Sequence, residues 1–117
     1  MKKLFLLAGA ALSLSVAANS WAGGDINAGK AAVEKYGCVA CHGSDLNSPI
    51  DPTYPRLAGQ PETYLKHALV SYQRGADVAN GRVNAIMNGQ AKALSAKDIE
   101  NIAAYAHSLP SSLVLKK

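Results

Sequence analysis

The chain has 117 residues, of which 49% are hydrophobic, 17% are charged and 6% are aromatic. This length fits one small domain once a targeting segment is removed. Lys2 and Lys3 supply two of the four net positive charges, which leaves about +2 on residues 23–117. A charge this small argues against nucleic-acid binding and against strong long-range electrostatic steering.

The first 22 residues have the three parts of a secretory signal peptide. Two lysines precede an almost uninterrupted apolar run at residues 4–18, and small residues occupy the positions before a cleavage site at Ala22. A membrane anchor is the alternative, but the run is short for a span and no basic stop-transfer segment follows. We expect cleavage of residues 1–22 during export to the periplasm. Residues 23–117 should then form one domain without stable membrane insertion.

A first helix follows the leader. Asp25 or Asn27 can cap it, and it should run to about Tyr36 and end at Gly37. Immediately afterwards, residues 38–42 contain both cysteines of the chain in the order Cys-Val-Ala-Cys-His.

A C-x-x-C-H sequence is typical of covalent attachment of haem c. Two thiols at this spacing can add to two vinyl groups on one edge of a porphyrin, and the adjacent histidine can bind the iron as proximal ligand. We therefore predict one covalent haem c, attached through Cys38 and Cys41, with His42 as an axial ligand of the iron. Export is consistent with this prediction, because bacteria attach haem c outside the cytoplasmic membrane.

Other interpretations of these residues each need a further feature. A thioredoxin-like C-x-x-C needs a βαβ context, and no strand-like alternation lies near Cys38. A structural zinc site needs a second ligand pair, whereas His67 and His107 are far apart in the sequence. A disulfide between Cys38 and Cys41 stays open in an oxidising compartment, although two intervening residues would make its ring strained.

The rest of the chain predicts more helices and no strand. Residues 43–60 are rich in glycine and proline and predict an irregular loop. Pro61 at a first helical position begins a second helix, whose apolar stripe is Leu65, Leu69 and Tyr72 and which Gly75 can end. A short helical segment is predicted over residues 83–88.

The last helix has the clearest start signal of the chain. Ser95 and Asp98 have the spacing of a capping box, and Pro110 ends the helix. Its core positions are Ile99, Ile102, Ala103, Ala106 and Leu109. The predicted fold is therefore small and all-α, with three to five helices around one covalently bound haem.

Met87 is the candidate for the second axial ligand. It is the only methionine besides Met1, and a thioether opposite His42 would raise the reduction potential and close the iron to oxygen or substrate. Methionines also commonly fill gaps in a core, so that role stays open. His67 is the main rival, but His67 and His107 are both predicted on the polar sides of their helices.

Several further segments make the chain resemble a class I cytochrome c. They are residues 54–60 (Tyr-Pro-Arg-Leu-Ala-Gly-Gln), Tyr64-Leu65, Met87, and residues 94–105. The chain is most similar to bacterial cytochrome c-553 and to the single-haem halves of dihaem cytochrome c-4, over roughly residues 25–109. Those dihaem proteins carry two C-x-x-C-H motifs, whereas this chain has one.

The resemblance implies roles for four more residues. The carbonyl of Pro55 would accept a hydrogen bond from the second ring nitrogen of His42 and fix its orientation. Leu57 would pack on the haem face, and Arg56 would lie near a propionate. Gly29 would allow the last helix to cross the first closely near Tyr105.

These features predict a soluble periplasmic monohaem carrier of single electrons, not an enzyme. It would dock transiently with redox proteins as donors and acceptors, as a monomer or weak dimer, and would not bind nucleic acid. One alternative is a haem subunit of a larger periplasmic oxidoreductase. Another is a five-coordinate sensor or peroxidase-like protein. Five lysines could form a docking rim, although near-zero net charge argues against steering by them: Lys30, Lys35, Lys66, Lys92 and Lys97.

Overall fold

The computed structural model describes residues 23–113, so the predicted signal peptide lies outside the described residues. Within this range the chain forms five α-helices and one 3-10 turn, and no strand. The helices are α1 (Ile26–Lys35), α2 (Val39–His42), α3 (Glu62–Arg74), α4 (Ala85–Lys92) and α5 (Ala96–Ser108), and the 3-10 turn is Gly75–Asp77. The predicted all-helical architecture is confirmed. None of these helices is long and apolar enough to cross a membrane.

Helices α1 and α5 cross at Gly29, as the family resemblance implied. A Cβ atom at this position would collide with the carbonyl oxygen of Asn101 and would lie 2.6 Å from Cβ of Tyr105. Next to the crossing, the buried side chain of Asn101 accepts a 2.8 Å hydrogen bond from the backbone N–H of Asp25. Only glycine lets the two backbones approach this closely, because any larger residue would push the helices apart.

The ends of α1 and α5 confirm their predicted caps. The Asp25 carboxylate accepts a 2.7 Å hydrogen bond from the N–H of Ala28, which is one of the donors that a helix leaves unpaired at its start. At α5, Ser95 and Asp98 form both hydrogen bonds of a capping box. Local sequence signals therefore place both helices correctly.

The prediction of a helix over residues 83–88 is wrong in its bounds, because α4 covers Ala85–Lys92. Asn84 has an extended backbone, and its side chain accepts hydrogen bonds from the N–H groups of Ile86 and Met87, so the helix starts after it. Asn88 and Gly89 form a residue pair that is common in turns, but here they lie inside the helix. Gly89 is not among the glycines with positive φ, so the backbone makes no turn there.

The hydrophobic core is small. It contains buried residues of α1, α3 and α5, together with Leu46 and Ala58 of the long loop between α2 and α3. In the described part of the chain, the largest fully buried side chains are those of Leu46 and Val33. A domain of this size is marginal on such a core, and a cavity with largely apolar walls lies directly beside it.

Candidate functional site

One cavity brings together most of the residues predicted for haem binding. Cys38, Cys41 and His42 line it, and so does Met87 from α4. Much of the remaining wall is apolar and comes from α1, the long loop between α2 and α3, α3, the α4–α5 connection and α5: Val33, Leu57, Leu65, Leu69, Leu94 and Ile102. The two thiols, the imidazole and the thioether therefore share one apolar site, although Cys38 and Met87 are 49 residues apart in the sequence.

Cys41 lies on the short helix α2, and Cys38 is the capping residue directly before it, three residues after the end of α1. Gly37 lies in the connection between α1 and α2 with a φ of +71°, a conformation that favours glycine. The backbone N–H of Cys38 then donates a 2.9 Å hydrogen bond to the carbonyl oxygen of Val33. Both thiols are half-buried and free. Burial raises the pKa of the Cys38 thiol above its usual value, so the group is neutral at neutral pH.

His42 is the last residue of α2 and is 6% exposed. Its Nδ1 atom donates a 2.9 Å hydrogen bond to the carbonyl oxygen of Pro55. In a neutral imidazole this leaves the lone pair on Nε2, which is the atom free to bind a metal. The long loop therefore selects both the tautomer and the orientation of the ring.

Met87 is half-buried on α4, and two amide side chains hold that helix against α3. The Nε2 atom of Gln73 donates hydrogen bonds of 2.9 Å to the carbonyls of Ala91 and Leu94 at the C-terminal end of α4. In the middle of α4, Asn88 Nδ2 donates to the carbonyl of Tyr72 at 2.7 Å. The helix that carries Met87 is thus attached to α3 at two points along its length.

The remaining predicted residues fall into two groups. Pro55 and Leu57 line the cavity, and Leu57 also packs against the core. Arg56 instead points to the C-terminal segment, where Nη1 donates a 2.9 Å hydrogen bond to Ser112 Oγ. Its position near a propionate stays a prediction. His67 and His107 are exposed, as expected, and neither belongs to the cavity wall.

The sequence did not reveal the charged residue of the cavity wall, Arg82. Its guanidinium carbon lies 5.5 Å and 5.6 Å from the ring centroids of Tyr64 and Tyr72, which also line the cavity. These distances are within the range of cation–π interactions. Arg82 lies in a non-helical stretch between the 3-10 turn and α4, so no periodic pattern marks it in the sequence.

The residues present fit a covalently attached haem. Such a group needs two thiols at C-x-x-C spacing, an imidazole with an accessible nitrogen and a largely apolar pocket. The cavity has all three, together with a thioether as a further candidate ligand.

Comparison with known proteins gives the family. The cytochrome c family model matches residues 26–110, which is most of the chain. The chain belongs to the cytochrome c family. Members of this family bind haem c covalently through C-x-x-C, here Cys38 and Cys41, and transfer electrons through the haem iron.

Two relatives and one solved structure place the chain within the family. It is 43% identical over 83 residues to cytochrome c-554(548) of Halomonas halodenitrificans, covering 70% of this chain and 93% of that protein. It is 42% identical over 79 residues to a thiosulfate dehydrogenase electron acceptor of Thiomonas intermedia, covering 68% of this chain and 34% of that protein. The crystal structure of reduced recombinant cytochrome c4 from Pseudomonas stutzeri matches with a TM-score of 0.68 and 40% identity.

The matches differ in how much of the other protein's length this chain covers. The chain spans about half of the cytochrome c4 structure, since 77% of this chain covers 48% of that one. It spans nearly all of cytochrome c-554(548). The resemblance to class I cytochromes of the c-553 and c-4 groups is confirmed at the level of family and fold.

Proposed function

We propose that this cytochrome c is a soluble periplasmic carrier that moves single electrons between redox proteins, and that it is not an enzyme. The observation that supports this most is the single cavity shared by Cys38, Cys41, His42 and Met87. When bound there, haem c supplies an iron that exchanges one electron reversibly. The residues around it determine how that exchange is used.

In this proposal Cys38 and Cys41 hold the haem through thioether bonds, and Nε2 of His42 binds the iron. The hydrogen bond from His42 to Pro55 keeps the imidazole oriented and makes it more electron-donating. The sulfur of Met87 would supply the second protein ligand to the iron. A site with both ligands in place transfers electrons without binding oxygen or substrate, which fits a carrier better than a sensor or a peroxidase-like protein.

The apolar wall would exclude water from most of the haem. Leu57, Leu65 and Leu69 contribute to it, and the attachment of α4 to α3 holds Met87 in place. Surroundings of low polarity and a rigid set of ligands both keep the reorganisation energy between the ferric and ferrous states small. Partners would dock briefly at the haem edge over a small area.

The periplasmic location rests on the features of residues 1–22, which indicate export and cleavage. After cleavage, residues 23–117 would be one soluble domain that acts as a monomer or weak dimer. Neither nucleic acid nor a membrane surface is an expected partner, because the charge is small.

A second candidate function is a haem subunit of a larger periplasmic oxidoreductase. It is supported by the similarity to a protein named as an electron acceptor of thiosulfate dehydrogenase. The residues at the haem would be the same in both cases. A stable partner that co-purifies from the native periplasm would favour the subunit, whereas isolation as a free small protein would favour the carrier.

The test is to express the full chain in a bacterium that attaches haem c and to purify it from the periplasm. Mass spectrometry should give the mass of residues 23–117 plus one haem. The oxidised protein should show the weak long-wavelength absorption of an iron–thioether bond, and Met87→Ala should abolish it. His67→Ala, at an exposed position, is the matched control and should leave it unchanged.

A protein without covalent haem would contradict the proposed function. A spectrum that Met87→Ala leaves unchanged would contradict only the assignment of the second ligand.

A further inference from the structure

The cavity wall carries a single permanently charged side chain among the described residues that line it, and that side chain is Arg82. No lysine, aspartate or glutamate of the described residues lines the cavity. The charge of this wall therefore depends on one residue.

Arg82 is held at this position by its side chain and by its backbone. The guanidinium lies 5.5 Å from the ring of Tyr64 and 5.6 Å from that of Tyr72. The backbone N–H of Arg82 donates a 2.8 Å hydrogen bond to the carbonyl of Ser71, and the backbone carbonyl of Arg82 accepts one of 2.8 Å from Nδ2 of Asn88. Hydrogen bonding to Tyr64, and secondarily to Tyr72, raises the pKa of Arg82 further, so it stays charged at any working pH.

We propose that Arg82 is an electrostatic tuning residue that raises the reduction potential of the haem, and that Tyr64 and Tyr72 are positioning residues that hold its charge at the cavity wall. This inference rests on the proposed function, because it requires a haem in the cavity. The electron itself comes from a redox-protein donor and leaves to a redox-protein acceptor, and Arg82 takes no part in bond making or breaking.

The direction of the effect follows from Coulomb's law. Oxidation adds one positive charge at the iron, and a fixed cation on the same wall disfavours that added charge. The effect should be moderate, because Arg82 is only half-buried and water screens part of its charge. The cavity wall around Arg82 is largely apolar, so the charge of Arg82 is screened less than that of a cation on the open surface.

The test is a potentiometric titration of the haem-loaded protein and three variants. Arg82→Gln removes the charge and should raise the ratio of oxidised to reduced protein at a fixed solution potential at least threefold. That corresponds to about 30 mV at ~59 mV per tenfold change for one electron. Arg82→Lys keeps a charge and should retain more than half of the wild-type effect. Arg74→Gln removes the same charge from an exposed position at the end of α3, outside the cavity wall, and should change the ratio much less.

Two results would overturn the inference. In one, Arg82→Gln shifts the potential no more than Arg74→Gln, which would make the effect one of overall charge. In the other, Arg82→Lys shifts it as far as Arg82→Gln, which would make Arg82 a structural residue.

The haem content and the iron–thioether absorption, measured on every sample, keep this test separate from that of the proposed function. Their absence in the wild-type protein would count against haem binding by Met87 or the cysteines. Their presence in all variants, with unchanged potentials, would count against Arg82 alone.

Discussion

The phenol of Tyr36 donates a 2.8 Å hydrogen bond to Oδ2 of Asp98, 62 residues later in the chain. The same carboxylate oxygen accepts a 3.0 Å hydrogen bond from the N–H of Ser95 and so completes the capping box of α5. One carboxylate therefore fixes the start of α5 and attaches it to the residue that follows α1. Hydrogen bonding from Ser95, and then from Tyr36, lowers the pKa of Asp98 below its usual value.

Asp98 should make stability depend on pH in the acid range. Because the pKa of Asp98 is lower in the folded state, the unfolded state binds the proton more readily. The stabilisation is therefore fully present above the unfolded pKa of about 3.9 and is lost as the pH falls through the folded pKa. Asp98→Asn should lower the free energy of unfolding at pH 7 by about 1 kcal/mol. Urea titrations at several pH values measure this difference, which should shrink as the solution is acidified. Asp77→Asn, exposed in the 3-10 turn, is the matched control. A gap between wild type and Asp98→Asn that stays constant from neutral to acid pH would contradict the prediction.

Gly29→Ala should destabilise the protein strongly. Its added methyl group would collide with the backbone of Asn101 and with Cβ of Tyr105, and overpacking against a backbone that cannot move costs about 2 kcal/mol or more. Gly89→Ala is the control, because it also lies inside a helix but meets nothing within 4 Å. It should stabilise α4 by roughly 0.5 to 1 kcal/mol. Thermal unfolding of both variants tests the pair, and similar melting temperatures for the two would show that the crossing tolerates a methyl group.

Asn88→Ala should loosen the proposed ligand Met87. The Asn88 side chain accepts from the N–H of Asn84 and donates to the carbonyls of Tyr72 and Arg82, so it connects three segments next to Met87. In the variant, the iron–thioether absorption should disappear at a lower denaturant concentration than in the wild type, well before the helices unfold. Asn80→Ala, at an exposed position, should leave both transitions unchanged. Simultaneous loss of absorption and helicity in Asn88→Ala, at the wild-type concentration, would rule out this role.

Removing both thioether bonds should prevent stable folding. In the double variant Cys38→Ser and Cys41→Ser, the covalent haem is lost and the apolar cavity wall stays open to water. The core of the polypeptide alone is small, because among residues 23–113 Leu46 and Val33 are the only large side chains that are fully buried. Circular dichroism should therefore show low helicity and no cooperative melting. A sharp thermal transition in the double variant would mean that the chain folds without its cofactor.

The parts of the fold that the sequence predicted are those that local signals determine. The cap at Asp25, the capping box at Ser95 and the apolar periodicity of α5 each act over a few residues, and each was found as expected. The C-x-x-C-H motif works in the same way, because the covalent chemistry requires a fixed local spacing. The crossing at Gly29 came from family resemblance, since a helical glycine alone does not reveal what lies opposite.

What the sequence did not reveal depends on contacts between distant segments. The register of α4 is set by the cap at Asn84 and by hydrogen bonds from Asn88 to Tyr72, which override the turn preference of Asn88-Gly89. Arg82 was missed for the same reason. Its partners lie 18 and 10 residues earlier, on a helix whose orientation only the tertiary structure fixes.

The two proposed iron ligands differ in how far apart folding must bring the chain. His42 adjoins the attachment cysteines, so its encounter with the haem closes a loop of only a few residues and costs little entropy. Met87 comes from α4, and its arrival requires α3 and α4 to have docked. The exported chain, once it carries haem, should therefore acquire its histidine ligand early and its thioether last, in the order expected from contact distance. The colour of the oxidised protein would thus report, within one absorption band, whether the whole domain has finished folding.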